Sequence, residues 1–154
     1  MNIGIDNKQS EAVAKMLNQY LADLQVLYTK VQNYHWNLEG MNFFALHGKF
    51  EELYDQINEE IDEVAERILT LGQRPLGTLK DFVATAKIEE AKNAPIDGKT
   101  AVQNVLADFE YVIRQLRDGV AVAEENNDAG TADMLTSSMA GYEKTCWMLR
   151  VSLK

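Results

Sequence analysis

The amino-acid sequence predicts an all-α protein, a four-helix bundle joined by a short turn, one long crossover containing a short helix, and a second short turn. Three observations predict it. Apolar residues recur at three- to four-residue spacing through four long stretches, the periodicity of a half-buried helix. Proline occurs only twice in 154 residues, so little interrupts those stretches. Breaks rich in Gly, Asn and Pro separate them, and the middle break is far longer than the other two.

The first helix is expected to start behind a cap-like pattern running from Asp6 to Gln9. Val13, Met16, Leu17, Tyr20, Leu24, Leu27, Tyr28, Val31 and His35 then line one face. Asn37 to Asn42, which includes Gly40, makes a short turn. The second helix, from about Phe43 to Leu71, is therefore its antiparallel neighbour. Gly72, Pro75 and Gly77 end that helix and open the crossover, where a short helix is expected at Leu79–Ala86 behind Thr78 and Asp81. The third helix is expected to begin near Thr100, where Thr100 and Gln103 form a capping-box pattern. Its buried stripe is Val102, Val105, Leu106, Phe109, Val112, Ile113, Leu116 and Val120. Asn126 to Gly130 turns into a last helix carrying Met134, Leu135, Met139, Tyr142, Cys146, Trp147, Leu149 and Leu153. Short, long and short connections give a ferritin-like topology, and residues 1–154 are expected to form one domain with a sizeable core.

Composition narrows the function classes. Hydrophobic residues make up 46% and charged residues 25%, as in ordinary soluble domains. No apolar run approaches a membrane span, and the N-terminus lacks the regions of a signal peptide. The single Cys146 excludes an intrachain disulfide framework and suits a reducing cytoplasm. A net charge of −9 with a pI near 4.7 opposes attraction to nucleic acid or anionic lipid.

The chemistry gathers between Tyr34 and Arg67, which holds the only two histidines, His35 and His47. Glu51, Glu52, Asp55, Glu59, Glu60, Asp62, Glu63 and Glu66 follow with no basic residue among them. At about 100° per residue, Leu46, Phe50, Leu53, Tyr54, Ile57, Ile61, Val64 and Ile68 share one apolar stripe. His47, Glu51, Asp62 and Glu66 share an arc along its edge. His47/Glu51 and Asp62/Glu66 are i,i+4 pairs, and two carboxylates so spaced repel unless a cation joins them. Imidazole with carboxylate suits iron, zinc or manganese. His47 and Glu66 lie about 28 Å apart along one helix, too far to share an ion. The set is palindromic, however, about a midpoint between Gln56 and Ile57. Two copies packed antiparallel about a dyad there would oppose His47 to Glu66 and Glu51 to Asp62, making two equivalent sites.

Four-helix di-iron proteins commonly bind metal inside the bundle through Glu-x-x-His motifs, of which this chain has none. The run Tyr34-His35-Trp36-Asn37, then Gly40, Phe43-Phe44, Leu46-His47, Phe50, Tyr54-Asp55, Asp62 and Ala65-Glu66-Arg67, resembles the signature of the Dps family of miniferritins, and the resemblance extends over nearly the whole chain. It implies a twelve-subunit shell that oxidises Fe(II), preferentially with hydrogen peroxide rather than dioxygen, and stores the ferric mineral. It also implies that His35, His47 and Glu51 of one subunit meet Asp62 and Glu66 of its dyad mate. Glu51 stands where many members have Asp.

Blander readings stand beside these. A lone histidine on an apolar stripe is ordinarily a core residue, but two histidines with carboxylates at matched spacing favour ligation. Glu52, Asp55, Glu59, Glu60 and Glu63 read as solvent-facing or interface charges. Trp36 reads as helix-end packing, with electron donation to the site as the role the resemblance suggests; Trp147 reads as core or interface packing. Glu124, Asp128 and Asp133 either cap helices or, as in the family, line a threefold pore that admits iron. Two rival functions remain. Some family members condense DNA through basic extensions, but this chain has only Lys8 before its first helix and Lys154 after its last, and twelve chains at −9 each would repel a duplex, leaving divalent-ion bridging. A zinc-binding structural assembly is the other, because the ligand types do not separate zinc from iron.

Overall fold

The structure, a computed structural model, describes residues 3–154. Helix α1 (Asn7–Asn37) opens on the expected capping box: Asp6 accepts from the Gln9 amide, and the Gln9 side chain accepts from the Asp6 amide. Gly40 at φ 93° and Asn42 at φ 67° make the turn so tight that α2 (Phe43–Thr70) returns directly along α1. Strand β1 (Leu38–Glu39) lies in that turn and pairs in parallel with β2 (Ile96–Asp97), the last residues of the crossover. Within the crossover α3 (Leu79–Thr85) is capped by Thr78, whose hydroxyl accepts from the Asp81 amide. Helices α4 (Gly98–Glu125) and α5 (Ala129–Ser152) form the second hairpin.

One boundary differs from the sequence-based expectation. Asp97, not Thr100, caps α4, and it accepts from both the amide and the hydroxyl of Thr100. A carboxylate is the stronger acceptor, and β1–β2 pairing already fixes Asp97 in extended backbone. Gly98 follows, where a Cβ would lie 2.5 Å from Leu46 Cδ1 and oblige that side chain to shift.

Helix α1 is the centre of the bundle, packed on α2, α3 and α4, while α5 packs on α4. Val13, Leu17, Tyr20, Leu24, Leu27 and Val31 of α1 are wholly enclosed, and Phe50, Leu53, Ile57, Val64 and Ile68 face them from α2. The α1–α4 interface carries a seam of polar pairs in antiparallel register: Tyr34 with Asn104, Lys30 with Asp108, and Asp23 with Tyr111 and Gln115. Asp23 is wholly buried, and its carboxylate also accepts from the amides of Lys87 and Ile88 at 2.6 and 2.9 Å. It thereby fastens the crossover to the bundle. Burial and the Asp23 charge push the Tyr111 phenol up to about 12. Among the described residues no helix is long and apolar enough to cross a membrane.

Both tryptophans depart from core packing. Trp36 is 69% exposed and Trp147 58%, so neither fills the interior of this chain, and only interface packing remains open to Trp147. Trp36 lies one residue beyond buried His35, about 100° further round α1.

Candidate metal site

The α1–α2 turn brings together the two histidines. His35 lies in the last turn of α1 and His47 in the second turn of α2, and their rings stack at 3.7 Å with planes 18° apart. His35 Nδ1 is 2.8 Å from the His47 carbonyl oxygen, and His47 Nδ1 is 2.9 Å from that of His35. A carbonyl only accepts, so each Nδ1 donates, and the neutral ring then keeps a bare Nε2. Tyr54 meets the His35 ring edge-on at 5.4 Å, and Phe43 stacks on His47 at 5.0 Å. Two bare imidazole nitrogens held by aromatic walls make half of a metal-binding set.

The carboxylates occupy the same helix at different depths. Glu51 is exposed one turn beyond His47, and its charge, with that of Asp55, adds to partial burial in raising the Tyr54 phenol. Asp62 lines a surface trough with Asn58, Glu59, Ile61 and Ala65, and Glu66 is exposed one turn further on. Asp62 and Glu66 stay well away from the histidines of their own chain, as a straight helix requires. Among the described residues, no three His, Cys, Asp or Glu side chains of one chain form a group able to hold a metal ion. His35 and His47 are thus brought together, Glu51 lies one turn beyond His47 without completing a group of three with them, and Asp62 with Glu66 forms a separate pair.

The α4–α5 turn resolves differently for its three acids. Asp128 is 1% exposed, caps α5 through the Thr131 amide, and is ion-paired to Arg67 at 2.5 Å. Its carboxylate is spent inside the chain, which removes it from the pore reading in favour of the capping one. Glu124 and Asp133 are exposed on either side of the turn.

Sequence reasoning missed Glu60. Expected to be a solvent-facing or interface charge, it is instead half-buried and accepts from the hydroxyls of Tyr20 and Tyr142 within its own chain, each at 2.6 Å. It borders a pocket of about 260 Å³ that Glu59, Glu63, Phe109 and Ser138 also line. Burial, then neighbouring charge, holds both phenols well above their ordinary range. A signal was present: at about 100° per residue Glu60 projects only about 20° from Leu53, at the far edge of the apolar stripe.

Comparison with known proteins agrees with this architecture. A family model for the ferritin-like domain matches residues 14–154. The DNA protection during starvation protein 2 of Bacillus anthracis is 41% identical over 150 residues, covering 96% of this chain and 98% of the relative. A DNA protection during starvation protein of Brevibacillus brevis is 42% identical over 144 residues, covering 94% and 96%. The Dps protein of Vibrio cholerae O1, a member of a broad superfamily of ferritin-like diiron-carboxylate proteins, superposes with a TM-score of 0.96 at 40% identity, covering 100% of this chain and 97% of that one.

Proposed function

The chain belongs to the ferritin-like family, in its Dps group, and on that premise we propose that it is a ferroxidase and iron-storage miniferritin. Twelve copies form a hollow shell in the cytoplasm, and sites at the twofold interface oxidise Fe(II), with hydrogen peroxide preferred over dioxygen. Each site takes His35, His47 and Glu51 from one chain and Asp62 and Glu66 from its mate. The observation that carries this reading is the stacked histidine pair, with both Nε2 atoms bare and its matching carboxylates displaced along α2 by the interval a dyad would correct.

The donor set fits iron: two neutral nitrogens bind Fe(II), and three carboxylates favour the ferric product more strongly because its charge is higher. Zinc and manganese suit the same donors and are expected to compete. Two Fe(II) ions give one electron each to peroxide, whose O–O bond breaks; with water, two ferric oxyhydroxide units form and four protons leave. Exposed carboxylates around the site disperse those protons and draw cations inward. Trp36, beside His35, supplies the missing electron, with loss of an indole proton, when only one Fe(II) is bound. Glu124 and Asp133 line the entry route. Consuming Fe(II) and peroxide together protects DNA without touching it, and the net charge of −9 per chain opposes direct contact.

Stopped-flow oxidation of Fe(II) by metal-free protein tests this, with peroxide and air as separate oxidants. Peroxide-driven oxidation faster than both the air reaction and a protein-free control is expected, with iron retained by the assembly. Rates equal to the protein-free control would refute the proposal.

A further inference from the structure

We propose that His47 serves twice, as a metal ligand through Nε2 and as the C-terminal cap of α1 through Nδ1, and that His35 returns the bond, so that each ring is oriented by the other's backbone. The ligand half of this rests on the function proposed above. The capping half stands on the hydrogen bonds alone.

Helix α1 ends at Asn37, so the His35 carbonyl is among the last four, for which the helix supplies no amide partner. The His47 Nδ1–H fills that vacancy at 2.9 Å. The His47 carbonyl lies inside α2 and offers its second lone pair to His35 Nδ1–H at 2.8 Å. Both rings are consequently locked in the Nδ1–H tautomer, the reverse of the form free histidine favours in water. Ligating histidines generally need a second hydrogen bond to fix tautomer and ring angle, commonly donated by the other ring N–H to a separate carboxylate or carbonyl. Here the pair supplies that bond internally, and the 3.7 Å stack with Phe43 and Tyr54 leaves the rings little freedom to turn. Because both acceptors are backbone atoms, replacing one ring leaves the other's acceptor in place, and the two duties of His47 become separable.

Asparagine carries an N–H donor where histidine carries Nδ1, and glutamine carries its polar atoms where histidine carries Nε2. His47→Asn should therefore keep the cap and lose the ligand, whereas His47→Gln should lose the cap. Three measurements on metal-free, full-length protein decide the matter. With only two histidines in the chain, 15N NMR of histidine-labelled protein reads both rings directly, and two Nδ1–H tautomers are expected. His47→Gln should melt about 2–4 °C below His47→Asn, the effect of one neutral hydrogen bond in a chain of this length. Co²⁺ titration, followed by its visible absorption, should weaken at least about 10-fold in His47→Asn. An Nε2–H tautomer at either ring, or equal melting of the two variants, would overturn the capping role. Two Nδ1–H rings with unchanged Co²⁺ affinity in His47→Asn would overturn the ligand role, and the proposed function with it, while leaving the cap intact.

Discussion

Replacing Asp23 with Ala is expected to loosen the crossover and cost this protein much of its stability. The carboxylate accepts from five donors: the amides of Lys87 and Ile88, the side chains of Gln19 and Gln115, and the Tyr111 hydroxyl. Three of these are side chains that can turn toward water, and Gln19 already has a second partner in the Thr85 carbonyl. The two amides cannot turn, because the peptide backbone around Ile88 is packed into the core. A buried donor left without an acceptor costs about 1–3 kcal/mol. Two such donors, together with the space left by the carboxylate, put the loss at about 3–5 kcal/mol. Against a typical total of about 5–15 kcal/mol this is large, and it corresponds to a fall in melting temperature of about 6–20 °C. Asp23→Asn keeps one acceptor oxygen and should lose roughly half as much. Calorimetry at matched protein concentration measures the shift, and hydrogen exchange at Lys87 and Ile88 locates it. A fall below about 2 °C with unchanged exchange at those two amides would refute the reasoning.

Other outcomes follow from the same structure. His47→Ala and Asp62→Ala chains should each be impaired in Fe(II) oxidation, yet co-assembly should restore about a quarter of wild-type activity, since half of random dimers are mixed and each holds one intact site; verified mixed shells without recovery would reject the shared site. Tyr20 and Tyr142 have folded-state values raised above the unfolded one, so their contribution to stability is intact below about pH 10 and is lost as pH climbs beyond it. Tyrosinate absorbance should accordingly show these phenols ionising only with alkaline unfolding, and early titration of all tyrosines would contradict their burial. Light scattering should give a mass many times the 17.4 kDa chain, and a monomer at neutral pH would exclude any site that needs two chains.

Periodicity made the helices legible because every long helix here has one buried face, and the unequal breaks made their connectivity legible as well. The α4 boundary was not, since Asp97 becomes a cap only through β2, whose partner lies far away in sequence. The histidine pair was visible as composition and spacing, and Gly40 marked the turn, but the reciprocal Nδ1 bonds depend on how the positive φ values at Gly40 and Asn42 aim the two helices, which spacing alone does not give. Acidity hid Glu60: its partners Tyr20 and Tyr142 come from two other helices, so only the assembled bundle reveals why a carboxylate stands there. The same holds for Asp128, whose role is decided by Arg67 from the opposite hairpin. Exposure of Trp36 and Trp147 is likewise a property of the tertiary packing, because both sit on otherwise well-patterned helices.

The tight α1–α2 turn also bears on when chemistry can begin. The two histidines are only twelve residues apart, and contacts of such short range close early and fast in folding. Their stacked pair is therefore expected to close before the crossover, 64 residues along the chain from Asp23 at Lys87, docks on it. If Asp62 and Glu66 must come from a second chain, the step that completes the donor set is bimolecular, and its rate rises with protein concentration. A chain that has folded but not yet met its mate would then be a weak iron binder and an idle oxidase. Turnover would start only as the closed container forms, so that no ferric product is made where there is nowhere to put it.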